Sequence, residues 1–120
     1  MANSSLAPKY LKFAIDRSAA RFFVSTPVTF TWESANGTES GEGITRDISS
    51  QSLYIWSKDL PPIGTSVCCC IYLPSASNKS ARIRFGLTGP LIRAEIPPAE
   101  HHMFGFVVAS DKELRVLFQS

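Results

Sequence analysis

Apolar and polar residues alternate with a period of two along much of this chain, the pattern of half-buried strands rather than helices. The clearest case closes the stretch from Phe22 to Trp32, where Val28, Phe30 and Trp32 share one face and Thr29 and Thr31 the other. Asn36-Gly37 follows as a hairpin turn signal, since both residue types tolerate positive φ. Further strands are predicted from about Gly43 to Ile48, over Leu53–Trp56 and over Val67–Leu73. Between the last two, Pro61-Pro62-Ile63-Gly64 stops any regular element. After a polar loop from Pro74 to Ser80, a fifth apolar stretch covers Ala81–Ile96. Gly86 and Gly89-Pro90 interrupt it, which predicts a bulge or two short strands. Pro97-Pro98 closes that stretch, and Phe104–Ala109 is the sixth strand. Helical spacing is confined to the ends. Leu6, Tyr10 and Phe13 fall at i, i+4 and i+7 within residues 5–15, and residues 111–118 predict a short terminal helix carrying Leu114, Val116, Leu117 and Phe118. Short strands separated by turn signals define an all-β domain, either a closed or nearly closed antiparallel barrel or a sandwich.

Length and composition narrow the classes. The 120 residues suit one domain, enough to bury about two thirds of the unfolded surface in a single core. No run approaches the ~18 apolar residues of a membrane span, and the amino terminus has no basic region followed by an apolar stretch. The expectation is therefore a cytoplasmic protein without membrane insertion. A net charge of +2 is too small for bulk nucleic-acid binding, so no DNA partner is expected and any anion recognition must be local. Cys68, Cys69 and Cys70 are consecutive. In a strand Cys68 and Cys70 share a face that Cys69 opposes, so the run makes neither a spaced metal site nor a disulfide framework. It reads as small apolar fillers in a reducing compartment. His101-His102 lacks a third partner at a useful spacing and reads as a surface loop, leaving no metal site. Trp32 and Trp56 are expected to pack in the core or at the barrel rim. The chain has no G-x-S-x-G, no histidine in a motif with the cysteines and no evident acid–base carboxylate pair. A binding module, with no catalytic residues, is expected rather than an enzyme.

The candidate chemistry lies in two clusters. Arg17 and Arg21 are spaced R-x-x-x-R, and Asp47-Ile48-Ser49-Ser50-Gln51-Ser52 reads D-x-S-x-x-S where two predicted strands meet. Alone, each is commonplace: paired arginines are usually a solvated face, and Asp and Ser often close turns on their own backbone. In this order and spacing, the pair resembles the motifs of the PilZ domain family, bacterial receptors for cyclic di-GMP, whose second motif is D/N-x-S-x-x-G. Gly64 after prolines and Gly105-Phe106 opening the last strand are looser likenesses. The resemblance implies a six-stranded antiparallel β-barrel over residues 16–120, preceded by a flexible amino-terminal arm over residues 1–15. It also implies cyclic di-GMP as ligand, with no cofactor, held by Arg17, Arg21, Asp47, Ser49 and Ser52. Arg93 joins them on the fifth strand, where the family often puts a residue that packs on guanine.

These side chains suit such a ligand. A guanidinium forks onto a phosphate or onto guanine O6 and N7, and it stacks on purine faces. Asp47 offers acceptors that match guanine N1–H and N2–H₂. Ser49 can donate to phosphate, accept from a base, or close a turn. Ser52 stands where the family has glycine. If that position needs positive φ, serine costs about 1–2 kcal/mol there, and weakened rather than abolished binding is expected. Arg46 neighbours Asp47 and, by strict alternation, should point to the opposite sheet face, outside the site. The expected function is a cyclic di-GMP receptor or adaptor that orders its Arg17–Arg21 arm on capture and signals to a downstream protein partner or fused domain. The alternative is a PilZ-like domain that has lost the ligand and serves as a protein-interaction adaptor. An unrelated oligonucleotide-binding barrel is more distant.

Overall fold

The computed structural model describes residues 21–74, 82–96 and 102–119. Seven strands follow in order: β1 (Pro27–Ser34), β2 (Gly37–Ile48), β3 (Ser52–Ser57), β4 (Ser66–Pro74), β5 (Arg82–Glu95), β6 (Phe104–Ala109) and β7 (Arg115–Gln119). Their order in the sheet is β4-β1-β2-β3-β6-β5-β7, and a further β4–β5 pairing closes the first six into an antiparallel barrel. This closed six-stranded barrel is the expected fold. β7 lies outside it, paired only to β5.

Closure depends on β5, which changes partners along its length. Residues 82–90 pair with β4, and Leu91–Glu95 turn to β6. The strand runs unbroken through Gly86 and Gly89-Pro90, with a bulge between Leu91 and Arg93, so one bulged strand replaces the alternative of two short ones. Its inward residues Phe85, Leu87 and Leu91 join Val28, Phe30, Leu53, Ile55, Val67, Cys69, Ile71, Leu73, Phe106 and Val108 in one core. Phe30 meets Phe106 edge to face at 5.4 Å across the barrel. Each such fully buried side chain contributes about 1.5–3 kcal/mol over its exposed state. Val28 and Phe30 are buried and Trp32 half-buried on one face of β1, while Thr29 and Thr31 are exposed, as the alternation requires.

Three expectations are corrected. First, β2 begins at Gly37 rather than Gly43, because the polar stretch Thr38–Glu42 pairs along β1 to Ser34. Exposed side chains reinforce that ribbon: the Thr38 hydroxyl donates to Glu33 at 2.8 Å and the Ser34 hydroxyl to Glu39 at 2.9 Å. Second, the hairpin places only Gly37 at positive φ (109°), with Ala35 and Asn36 as the turn residues. Third, the terminal segment is β7 and not a helix. A few apolar residues cannot hold an isolated helical turn in water, whereas the β5 edge beyond β6 offers unpaired backbone groups. Val116 packs toward the core, and Leu117 lies over Gly86 on the outside. Among the described residues no helix is long and apolar enough to cross a membrane. The expected helical turn of residues 5–15 and the arm of residues 1–15 lie outside the described residues.

Candidate ligand-binding site

The D-x-S-x-x-S segment spans the end of β2, the β2–β3 turn and the first residue of β3. The Ser49 N–H donates to the Ser52 carbonyl at 2.9 Å and closes the turn, while the Ser49 and Ser52 hydroxyls bond each other at 2.7 Å. No described non-glycine residue has positive φ. Ser52 therefore sits in ordinary extended backbone, and the conformational penalty that a glycine position could have imposed does not arise. The turn is also anchored from outside: Leu114 N–H donates to Ser50 O at 2.7 Å, and Ser110 N–H to Gln51 O at 2.8 Å.

Arg21 is the first described residue and is exposed. The next residue fixes its place: Phe22 N–H donates to Ile48 O and Ile48 N–H to Phe22 O, both at 2.8 Å. Thr26 repeats the attachment one step along, its N–H meeting the Thr45 hydroxyl at 3.0 Å while its carbonyl accepts the Thr45 N–H at 2.9 Å. Segment 22–26 thus continues the line of β1 along β2 and delivers the backbone of Arg21 beside the Ser49 turn. Among the described residues, only Arg21 of the R-x-x-x-R motif is placed there. Arg17 lies outside the described residues.

Asp47 pairs across the strands with Tyr54, Tyr54 with Val107, and Val107 with Arg93. Cross-strand partners share a face, so this row runs over the outer wall of the barrel through β2, β3, β6 and β5. Two bulges put cations on it. In β2 the register shifts between Thr45 and Asp47, so Thr45 and Ile48 point inward while Arg46 and Asp47 both point outward. In β5 the shift between Leu91 and Arg93 does the same for Ile92 and Arg93. Bulges commonly re-aim side chains in this way beside functional sites.

The expectation that Arg46 points away from Asp47 is therefore overturned. Arg46 Nε donates to Asp47 Oδ2 at 2.7 Å, and its guanidinium carbon lies 3.7 Å from the centroid of the Tyr54 ring. The Asp47 hydrogen bond holds the guanidinium above its ordinary pKa. Asp47 itself is only 4% exposed. Tyr54 lies flat against the wall because Gly105 has no side chain; a Cβ there would come within 2.2 Å of the phenol oxygen. The Tyr54 hydroxyl donates to Glu95 Oε1, and Trp56 packs edge-on to its ring at 5.3 Å. Burial, then the Glu95 bond, push the phenol up to about 12. Glu95 Oε2 is 3.7 Å from Arg93 Nε, which brings Arg93 into the same cluster. Trp56 is thus an outer-face residue, half-buried against Tyr54 rather than part of the core.

Sequence reasoning missed Arg46, Tyr54 and Glu95. An arginine next to a motif aspartate in a strand carried a signal for Arg46 only if a bulge was assumed, and nothing in the local sequence announces one. A separate groove of about 550 Å³ runs over the outer face of β1, β4 and β5, with Thr31, Cys68, Thr88, Lys112 and Arg115 among its walls. None of the predicted ligand residues lines it. Comparisons with protein-family models, with curated proteins and with solved structures return no match.

Proposed function

We propose that this chain is a cyclic di-GMP receptor or adaptor domain, a binding module without catalysis, in which ligand capture draws the Arg17–Arg21 segment onto the barrel wall. The observation that carries the reading is the reciprocal backbone pairing of Phe22 with Ile48, which sets Arg21 beside the Asp47–Ser52 turn. A doubly charged cyclic dinucleotide needs cations for its phosphates and directional groups for its bases. In this reading Arg21 and Arg93 serve as the cations and Ser49 and Ser52 as directional groups. Ordering the arm on capture lowers the net affinity. It also changes the surface offered to a downstream protein partner or fused domain. Calorimetric titration with cyclic di-GMP tests the reading. Binding in the micromolar range, about −8 kcal/mol, is expected, with Arg17→Ala and Arg21→Ala each weakening it by about tenfold. Absence of binding, or unchanged affinity in both variants, removes it.

A second reading is a barrel of the same kind that acts as a protein-interaction adaptor without the ligand. It draws on the mutual hydrogen bond of the Ser49 and Ser52 hydroxyls, which leaves less of the turn's polar capacity for a ligand. Titration with cyclic di-GMP that gives no binding favours this reading, and binding restored or strengthened in Ser52→Gly would place the chain between the two.

A further inference from the structure

Within the cyclic di-GMP reading, on which this inference rests, the cluster around Tyr54 divides the labour of Arg46 and Asp47 in an unexpected way. The motif makes Asp47 the base-reading residue. Yet its carboxylate is 4% exposed and accepts the Arg46 Nε–H at 2.7 Å, while the Arg46 side chain remains 37% exposed. Of this pair, the cation is the one that meets solvent.

We propose that Arg46 is a ligand-contacting residue that stacks its free guanidinium face on a purine base, and that Asp47 is the positioning residue that holds it there. One face of the guanidinium is covered by the Tyr54 ring at 3.7 Å, and one edge is taken by Asp47. The remaining face is planar, cationic and already oriented, which is what a purine stack requires. Its support is fixed in turn. Tyr54 is 2% exposed, its hydroxyl is bound to Glu95, Trp56 packs against its edge, and it rests over Gly105. A side chain immobilised before the ligand arrives loses little entropy on binding. Arg93, tied to the same Glu95 at 3.7 Å, sets a second cation on the same wall.

The test is a calorimetric double-mutant cycle with cyclic di-GMP on the full chain. Its members are wild type, Arg46→Ala, Arg46→Lys, Asp47→Ala and the double variant Arg46→Ala/Asp47→Ala, each first shown to unfold cooperatively. The lysine variant keeps the charge but has no planar face, so it should lose about tenfold in affinity, as the alanine variant does. Because Asp47 acts through Arg46, the double variant should bind no more weakly than Arg46→Ala alone. Wild-type affinity in Arg46→Lys, or losses that multiply in the double variant, would overturn the proposal. If Asp47→Ala does not fold, Asp47→Asn, of the same shape, takes its place in the cycle with the same two criteria. A wild-type protein that binds no cyclic di-GMP ends both this proposal and the functional reading beneath it. Wild-type binding with an unaffected Arg46→Lys ends this proposal only.

Discussion

Strands β4 and β2 both belong to the barrel wall, yet they treat neighbouring side chains in opposite ways. In β4 three identical residues meet three environments: Cys68 is exposed, Cys69 buried and Cys70 half-buried. Alternation separates Cys69 from the other two, and Cys69 is the only one that fills core space. Cys68 instead sits outside, its sulfur 3.2 Å from the Thr88 hydroxyl across the β4–β5 pair. The expectation of three small apolar fillers thus holds for Cys69 alone. In β2 two dissimilar neighbours, Arg46 and Asp47, share one face, because a single unpaired residue interrupts the alternation. The contrast shows how much one bulge changes. A regular strand spreads consecutive residues over two faces, whereas a bulged one concentrates them, and here that concentration brings the Arg46 and Asp47 charges together on the barrel wall.

The largest effect should come from the core that both strands cover. Phe106 is fully buried beneath them on β6. Phe106→Ala should cost about 3–5 kcal/mol in urea unfolding; a loss near zero would mean that the shared core is not where these strands draw their stability.

The cysteines sharpen the β4 half of the comparison. Cys69→Ser places a hydroxyl in the apolar interior and should cost about 1–3 kcal/mol, whereas Cys68→Ser should stay within about 0.5 kcal/mol. Labelling with a thiol reagent should follow the order of exposure, Cys68 before Cys70 before Cys69. Burial pushes the Cys69 thiol up to about 12, and it raises Cys70 as well. At mildly alkaline pH, Cys68 should therefore react first and Cys69 last. Equal rates at the three sulfurs would break the alternation reading.

A smaller loss than that of Cys69→Ser probes the bulged half. Burial and the Glu95 bond push the Tyr54 phenol up to about 12 from its ordinary value of 10.0, so the folded state favours the protonated form. That contribution is fully present below the unfolded value and is lost as pH climbs through the folded one, that is, between about 10 and 12. Tyr54→Phe should cost about 1 kcal/mol at neutral pH through the lost Glu95 bond. It should also flatten the decline of stability over that alkaline range. A wild-type curve with the same slope as the variant would show that Tyr54 is not held as described.

Much of the barrel was legible in the sequence. Val28, Phe30 and Trp32 announce the inward face of β1, and Phe104–Ala109 matches β6 residue for residue. Half of the motif geometry was also legible, since the Asp47–Ser52 turn falls between two strands as its spacing suggested. The polar half of β2 was hidden, because Thr38–Glu42 has no apolar face and stays extended only through its pairing with β1. β7 was hidden for a related reason. Its apolar residues fit a short helix as well as a strand, and the choice was made by the free edge of β5. Ser52 reads locally as a departure from a glycine, but only its backbone conformation shows that no positive φ was at stake.

By itself the chain's order of residues determined that the domain would be all-β, which face of β1 would turn inward, and where the hydroxyl-rich turn would fall. These follow from period-two patterning and turn chemistry, both of which act between near neighbours. Tertiary structure alone decided that the barrel closes through β5, that the Arg21 segment lies against β2, and that Arg46, Tyr54, Glu95 and Arg93 form one cluster. Those outcomes depend on register between strands far apart in the chain. A shift of one residue there moves a side chain to the other face, and no local pattern encodes it.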